Sequence, residues 1–267
     1  MLTWMIIMMI VLLLLGFPMM VPLLAATLFM MFTGMTFFGM SQGVSWMFSG
    51  VEQWVLAAVP MFIFAADIMT KGHTANRLLD LVSAFAGHLR GGLPITTAAS
   101  CTLFGAVSGS TQATVVAMGG PMRPRLLQKG YKDSFALALI INASDVALLI
   151  PPSIGMIVYG VIAKDASIGD LFIAGILPGL LVLLCISVYC YIASRAMGIE
   201  IEPRSDWGER LRALRGAILP LGFPLIVVGG IYTGTFSPVD ASAMAVLYAF
   251  ILEVAIYRKV RIRDIGS

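Results

Sequence analysis

Ser108-Gly109-Ser110-Thr111-Gln112-Ala113-Thr114 is a polar run set inside an apolar segment that opens at Gly91-Gly92-Leu93-Pro94 and closes near Gly120-Pro121. Each apolar arm holds about 13 residues, or about 20 Å as helix. A hydrocarbon core is about 30 Å thick, so neither arm spans it. The expected structure is a re-entrant helical hairpin over 91–121, with its polar tip deep in the protein. Unwound backbone at such a tip frees amides and carbonyls, which in a membrane must line a cavity or hold an ion.

The surrounding composition makes lipid the solvent. Apolar residues make up 59% of the 267-residue chain and charged residues only 12%. A soluble domain carries about 25% charge, so too little polar surface exists to coat a water-soluble globule. Cys101, Cys185 and Cys190 lie in apolar runs and read as small buried hydrophobes. His73 and His88 are the only histidines, and no metal-type spacing occurs. Met1–Gly16 lacks a basic start and a small-residue cleavage site, so it reads as a retained helix.

Outward from the hairpin, helices are expected at Leu2–Leu15 and Pro18–Phe38, joined by a turn at Gly16-Phe17-Pro18. Met40–Gly50 reads as a loop and Gln53–Met69 as a third span. In Thr74–Leu89, Leu78, Leu79, Val82, Phe85, Ala86 and Leu89 form an apolar stripe, the mark of an amphipathic helix in the interface. Phe135–Val161 is broken at Pro151-Pro152-Ser153, because two prolines remove two amide donors, and reads as a discontinuous helix. Phe172–Ser194, Gly216–Tyr232 and Pro238–Tyr257 complete the spans, with a basic loop at Ala196–Arg215. The fold class is all-α and polytopic, with about seven spanning helices. Its expected parts are N-terminal helices (1–72), the amphipathic interface helix (73–90), an element (91–195) holding the re-entrant hairpin and the discontinuous helix (132–163), a cytoplasmic loop (196–215) and the start of a second repeat (216–267).

All but one of the 17 Lys and Arg residues fall around the amphipathic helix, after the hairpin, in the 196–215 loop and at the C-terminus. The exception, Lys164, sits beside Asp165. The positive-inside rule then sets the N-terminus outside and the C-terminus inside, provided the hairpin enters and leaves on the cytoplasmic side. Gly16-Phe17-Pro18 and Thr235-Phe236-Ser237-Pro238 each join two helices, of opposite orientation in this threading, as in an inverted repeat. The second repeat would be incomplete.

Oxygen-rich positions define the expected site. Ser108, Gly109, Ser110, Thr111 and Thr114 supply hydroxyls and open backbone; Asn142, Ser144 and Asp145 precede the break at Pro151, Pro152 and Ser153. Hydroxyls and carbonyls suit a hard cation such as Na⁺, and helix N-termini after the tip would face an anionic group. Asp145 is a carboxylate in an apolar span, a functional candidate by default. Asp67 reads as interfacial, and Glu52, Asp240 and Glu253 as span-end residues.

The same residues carry a resemblance. Pro60-Met61-Phe62-Ile63, Asp67-Ile68-Met69, Arg90-Gly91-Gly92-Leu93, the Ser108–Thr114 run, Gly130-Tyr131, Ile150-Pro151-Pro152-Ser153-Ile154 and Ala174-Gly175-Ile176-Leu177-Pro178-Gly179 follow in order. The series resembles the N-terminal part of the large membrane subunit of the tripartite ATP-independent periplasmic (TRAP) transporters, the DctM-like family. The resemblance implies an elevator-type, Na⁺-coupled importer of small carboxylates such as C4-dicarboxylates in the bacterial inner membrane. It also implies a small four-helix membrane subunit and a periplasmic substrate-binding protein as partners, no cofactor beyond the coupling ion, no nucleic acid and no enzyme activity. It maps Na⁺ ligation to Ser108, Ser110, Thr114 and Ser153. Asp145 departs from the pattern, since similar proteins usually have a small residue there. Two alternatives stand beside this reading: a truncated, non-transporting remnant or scaffold, and an intramembrane serine hydrolase using Ser108 or Ser110, which would need a base within hydrogen-bond reach.

Overall fold

A computed structural model describes residues 2–34, 40–163, 166–199, 201 and 203–258. Lys164, Asp165, Lys259, Arg261 and Arg263, used above for orientation, lie outside the described residues, as does the end of the expected Pro18–Phe38 helix. The chain divides into two compact units, Met1–Gln53 and Trp54–Ser267.

In the first unit, α1 (Leu2–Leu14) and α2 (Met20–Gly34) pack together. Gly16 closes α1 with φ +80°, Gly16 N–H bonding to Leu13 O and Phe17 N–H to Leu12 O. This left-handed stop suits glycine because it has no Cβ to clash. Met40–Gly50, expected as a loop, is instead helix α3 (Met40–Val51). Its serines and glycines read as loop, but Val44, Met47, Phe48 and Val51 recur at helical spacing, and that periodicity outweighs the turn-forming composition.

The second unit holds α4 (Ala58–Lys71), entered through a 3₁₀ turn at Trp54–Ala57, then α5 (Thr74–Ala86), α6 (Gly92–Ser108), α7 (Thr111–Gln128), α8 (Asp133–Asp145), α9 (Ile154–Ile162), α10 (Ile168–Ala196), α11 (Trp207–Tyr232) and α12 (Pro238–Phe250). A π-helical turn, Ile251–Ile256, extends α12. Among the described residues, four segments are long and apolar enough to cross a membrane: Trp54–Lys71, Ile168–Ala196, Trp207–Tyr232 and Pro238–Ile256. The remaining apolar helices are shorter, so about seven full spans, counted from hydropathy, exceed what helix length alone supports here.

Helix α6 is the axis of the core. Its Thr, Ser, Ala and Gly side chains let neighbours approach closely, and α4, α5, α7, α8 and α10 all pack on it. Phe62, Ile68, Leu78, Leu79, Phe104, Met118, Met122, Leu126 and Ile157 fill the buried interior. Outward-facing Ile173, Leu177, Leu181 and Leu184 of α10 stay exposed, the inverse of a soluble surface. Asp67 pairs with Lys71 at 3.1 Å on the surface, as an interfacial residue would.

Two boundaries and the burial of one helix face differ from the sequence reading. The hairpin's second arm does not stop at Gly120-Pro121; α7 continues through Pro121 and Pro124 to Gln128. The arms are therefore 17 and 18 residues, or roughly 26 Å each at 1.5 Å per residue, nearly the depth of the hydrocarbon core. The basic loop ends early, because Asp206 and Glu209 form a capping box that starts α11 at Trp207. The amphipathic stripe is divided: Leu78 and Leu79 enter the core while Phe85 and Leu89 remain exposed.

The turn that suggested an internal repeat is a general device of this chain. Gly130, Gly198 and Gly234 end α7, α10 and α11 with the same paired hydrogen bonds and positive φ as Gly16. Gly16 and Gly234 thus share a helix stop that recurs at four positions among the described residues. At the α7–α8 corner, Arg123 holds Asp133 through Nε and Nη2 at 2.8 and 2.9 Å. That guanidinium keeps the Asp133 carboxyl below the ordinary carboxylate range.

Candidate functional site

Two interrupted helices meet at their interruptions. The first break is only Gly109-Ser110. Gly109 ends α6 at φ +61°, and Ser110, extended, caps α7 by accepting from Ala113 N–H at 3.5 Å. Thr111–Thr114, expected as part of an unwound tip, is the first turn of α7. The second break runs from a 3₁₀ turn at Val146–Leu148 to Ser153, which caps α9 by accepting from Met156 N–H at 3.4 Å; the Pro151–Pro152 peptide is cis. Gly109 O accepts from Ile154 N–H at 3.3 Å, so the tip is bonded directly to the start of α9.

Glycines make the approach possible. A Cβ at Gly109 would lie 2.5 Å from Pro152 O, and one at Gly105 would lie 2.6 Å from the Ala147 methyl. On the other side, Gly179 leaves room for Ile150, and Gly175 for the Leu149 carbonyl and Met156. Gly175 and Gly179 of α10 are four residues apart and present one flat helix face to the break, while Gly105 of α6 and Gly109 just past its end face Ala147 and Pro152.

A cluster of oxygens lies at the tip. Ser108 Oγ is 3.0 Å from Thr114 Oγ1 and 3.2 Å from Ser110 O, and Thr114 Oγ1 donates to Ser110 O at 2.9 Å. Ser108 and Thr114 are fully buried. Ser110 Oγ reaches Gln112 Oε1 at 3.1 Å. Thr111 Oγ1 is buried without a hydrogen-bond partner among the described residues. Such neutral, all-oxygen donors suit a hard monovalent cation better than a soft or transition metal. Among the described residues no group of His, Cys, Asp and Glu is arranged to hold a metal.

The other expected residues divide. Ser153 is at the break, but its hydroxyl donates to Leu148 O at 2.8 Å, replacing an amide that Pro152 lacks. Ser144 is buried on α8, with only the weak thiol of Cys101 beside its hydroxyl. Asn142 is exposed and donates to Ala138 O of its own helix. Asp145 is also exposed and makes no hydrogen bond or ion pair among the described residues. Neither is bonded to the tip, because both occupy the outer face of α8.

Glu253 lies in the last turn of the Pro238–Ile256 span, as expected of a span-end residue, but it also has a role its position did not suggest. It is fully buried and accepts from His73 N–H at 3.0 Å, Thr74 N–H at 3.1 Å and the Thr74 hydroxyl at 2.6 Å. It thus caps α5 from a distant part of the chain, and Gly72 provides the space for its carboxylate. Only one signal was available in sequence, the pairing of an acidic residue in an apolar span with a distant, uncapped helix start.

Taken together, the apolar exterior and the joined breaks define a polytopic helical membrane protein. Residues 6–267 match the family described as "Tripartite ATP-independent periplasmic transporter, DctM component", and the chain belongs to that family. It is 58% identical over 260 residues to the ectoine TRAP transporter large permease protein TeaC of Halomonas elongata, covering 96% of this chain and 60% of the relative. The ectoine/5-hydroxyectoine large permease UehC of Ruegeria pomeroyi is also 58% identical, over 259 residues, with the same coverages. The C4-dicarboxylate large permease DctM of Pseudomonas aeruginosa is 39% identical over 218 residues, 82% of this chain and 51% of the relative. The chain thus spans about 60% of the length of its 58%-identical relatives. These relatives are transporter permeases and not enzymes, and Ser108 and Ser110 have no histidine among their hydrogen-bond partners.

Proposed function

We propose that this chain forms the ion- and substrate-binding part of a TRAP-type large permease in the bacterial inner membrane. It works by an elevator motion with a small membrane subunit and a periplasmic binding protein. The observation that carries this reading is the Gly109 O to Ile154 N–H bond, which brings the N-termini of α7 and α9 to one place. Both ends carry partial positive charge and free amides, so they favour an anionic group beside them. The neighbouring Ser108, Ser110 and Thr114 oxygens suit Na⁺ as the coupling ion, with Ser153 holding the second break in shape. The substrate is a small carboxylate. The two relatives at 58% identity are named for ectoine, which makes ectoine the first candidate ahead of a C4-dicarboxylate. The N-terminus is periplasmic and the C-terminus cytoplasmic.

Proteoliposomes holding the full assembled transporter test this. Imposed Na⁺ gradients should drive uptake of labelled ectoine, and unlabelled succinate should compete weakly. Uptake driven equally by a proton gradient without Na⁺ would sink the Na⁺ assignment. Stronger competition by succinate than by ectoine itself would sink the substrate choice.

A further inference from the structure

We infer that Arg210 is the anchor of a phospholipid-phosphate site at the junction of α5 and α11. Arg210 is only 6% exposed, and its Nε and Nη2 are buried with no acceptor among the described residues. Those two atoms are the side-on fork by which arginine takes both oxygens of one oxyanion. What it does have is aromatic: the Phe85 ring centroid lies 5.7 Å away and the Trp207 centroid 5.3 Å away. Cation–π contact offsets only part of the cost of removing a guanidinium from water. The fold therefore leaves a charged, bidentate donor incomplete, and a bound oxyanion completes it.

The surroundings select a lipid as the source. Phe85, Leu89, Trp207, Leu211 and Leu214 are all exposed although large and apolar. Arg204, Arg212 and Arg215 lie within six residues of Arg210 in the chain. Exposed apolar and aromatic groups mixed with basic ones make a membrane-interface surface, where acyl chains and phosphates are both at hand. Trp207 is 74% exposed, so its ring can swing off the guanidinium without disturbing the core. Glu209 and Arg212, near Arg210 in the chain, line a separate cleft of about 610 Å³ between the same two helices, with Asn76, Asp80 and Ser83, and Arg210 itself does not line it. Asp80 and Arg212 make no ion pair among the described residues, so the cleft is not closed by its own charges.

Native mass spectrometry and thermal melting of the purified full chain test this, with phosphatidylglycerol as the probe and inorganic phosphate as the contrast. Wild type should retain phosphatidylglycerol and melt higher in its presence. Arg210→Gln should weaken that binding by roughly tenfold or more, as expected for loss of a charge-assisted fork. Arg210→Lys, which keeps charge but not the fork, should fall between them. Arg210→Met should melt no lower than wild type in lipid-free detergent, since it removes an uncompensated charge, yet gain nothing from lipid. Unchanged lipid binding in Arg210→Gln overturns the proposal. So does equal stabilisation by inorganic phosphate, or a drop in lipid-free melting for Arg210→Met, which would reduce the residue to a packing role.

Discussion

Gly109 and Ile154 are joined by a single backbone hydrogen bond of 3.3 Å, although 45 residues separate them in the chain. The bond exists because Gly109 turns left-handed at the end of α6 and so directs its carbonyl toward the first free amide of α9. That residue meets two constraints at once, a positive φ and a backbone neighbour at its missing Cβ.

The two constraints can be separated. Gly234 has φ +70° with no atom of the described residues within 4 Å of its missing Cβ. Gly234→Ala should cost only the left-handed penalty, about 1–2 kcal/mol, and Gly234→Asn less, because Asn tolerates that region. Gly109→Ala should cost clearly more, and Gly109→Asn should bring no relief, since any Cβ meets Pro152 O. Melting of purified variants in detergent measures this. Equal losses for Ala at the two positions would mean that the breaks are not in contact.

Ser108 and Thr114 are the buried hydroxyls nearest the tip. On the proposed Na⁺ site, Ser108→Ala or Thr114→Val in an assembled transporter removes an oxygen ligand from a low-dielectric setting. The Na⁺ concentration for half-maximal uptake should rise, by an order of magnitude if a single ligand contributes about 1.4 kcal/mol. Ser153→Ala should act differently, lowering melting temperature through loss of the Leu148 bond. An unchanged Na⁺ curve in both tip variants would leave these hydroxyls as helix packing.

The helical hairpin, the Pro-Pro-Ser break and the helical, amphipathic character of α5 were legible because each carries a local signature: glycine with hydroxyls, absent amide donors, an apolar stripe. Their meeting was not, since nothing local in Gly105, Gly109, Gly175 or Gly179 says which surface each will touch. The length of α7 was hidden by Pro121 and Pro124, which the helix absorbs. Asn142 and Asp145 were selected by residue type alone. Their outward placement follows from the helical phase of α8, whose buried face carries Ala136, Leu139, Ile140 and Ala143.

Glu253 carries a testable structural role. Its carboxylate takes three hydrogen bonds at the start of α5, each of which, to a charged acceptor, is worth about 1.5–3 kcal/mol. Glu253→Gln keeps the shape but loses the charge and one acceptor oxygen, and should lower the melting temperature by several degrees. Glu253→Ala should be worse. Thr74→Val, which removes only the hydroxyl donor, should show a smaller loss and little further loss when combined with Glu253→Ala. Full additivity of those two changes would show that the cap is not one unit.

The last prediction concerns which side of the membrane the hairpin uses. Because α6 and α7 pack on each other across a two-residue turn, both outer ends must emerge on the same side, whatever depth the tip reaches. Arms of 17 and 18 residues are close to a full crossing of about 30 Å, so arm length no longer separates a re-entrant loop from a spanning pair. Charge still assigns the side. Arg90 precedes the hairpin, and Arg123, Arg125 and Lys129 end it. Basic residues beside spans stay cytoplasmic. With Cys185, the exposed native thiol, replaced by Ser, single cysteines at Arg90 and Lys129 should both react with an impermeant maleimide only in inside-out vesicles. A third cysteine at Gln112, exposed next to the tip, should be protected from both sides in a short re-entrant arrangement and reached from the periplasm if the hairpin crosses fully. Opposite labelling of positions 90 and 129 would contradict the hairpin itself, and periplasmic labelling of both would reverse the orientation of the whole chain.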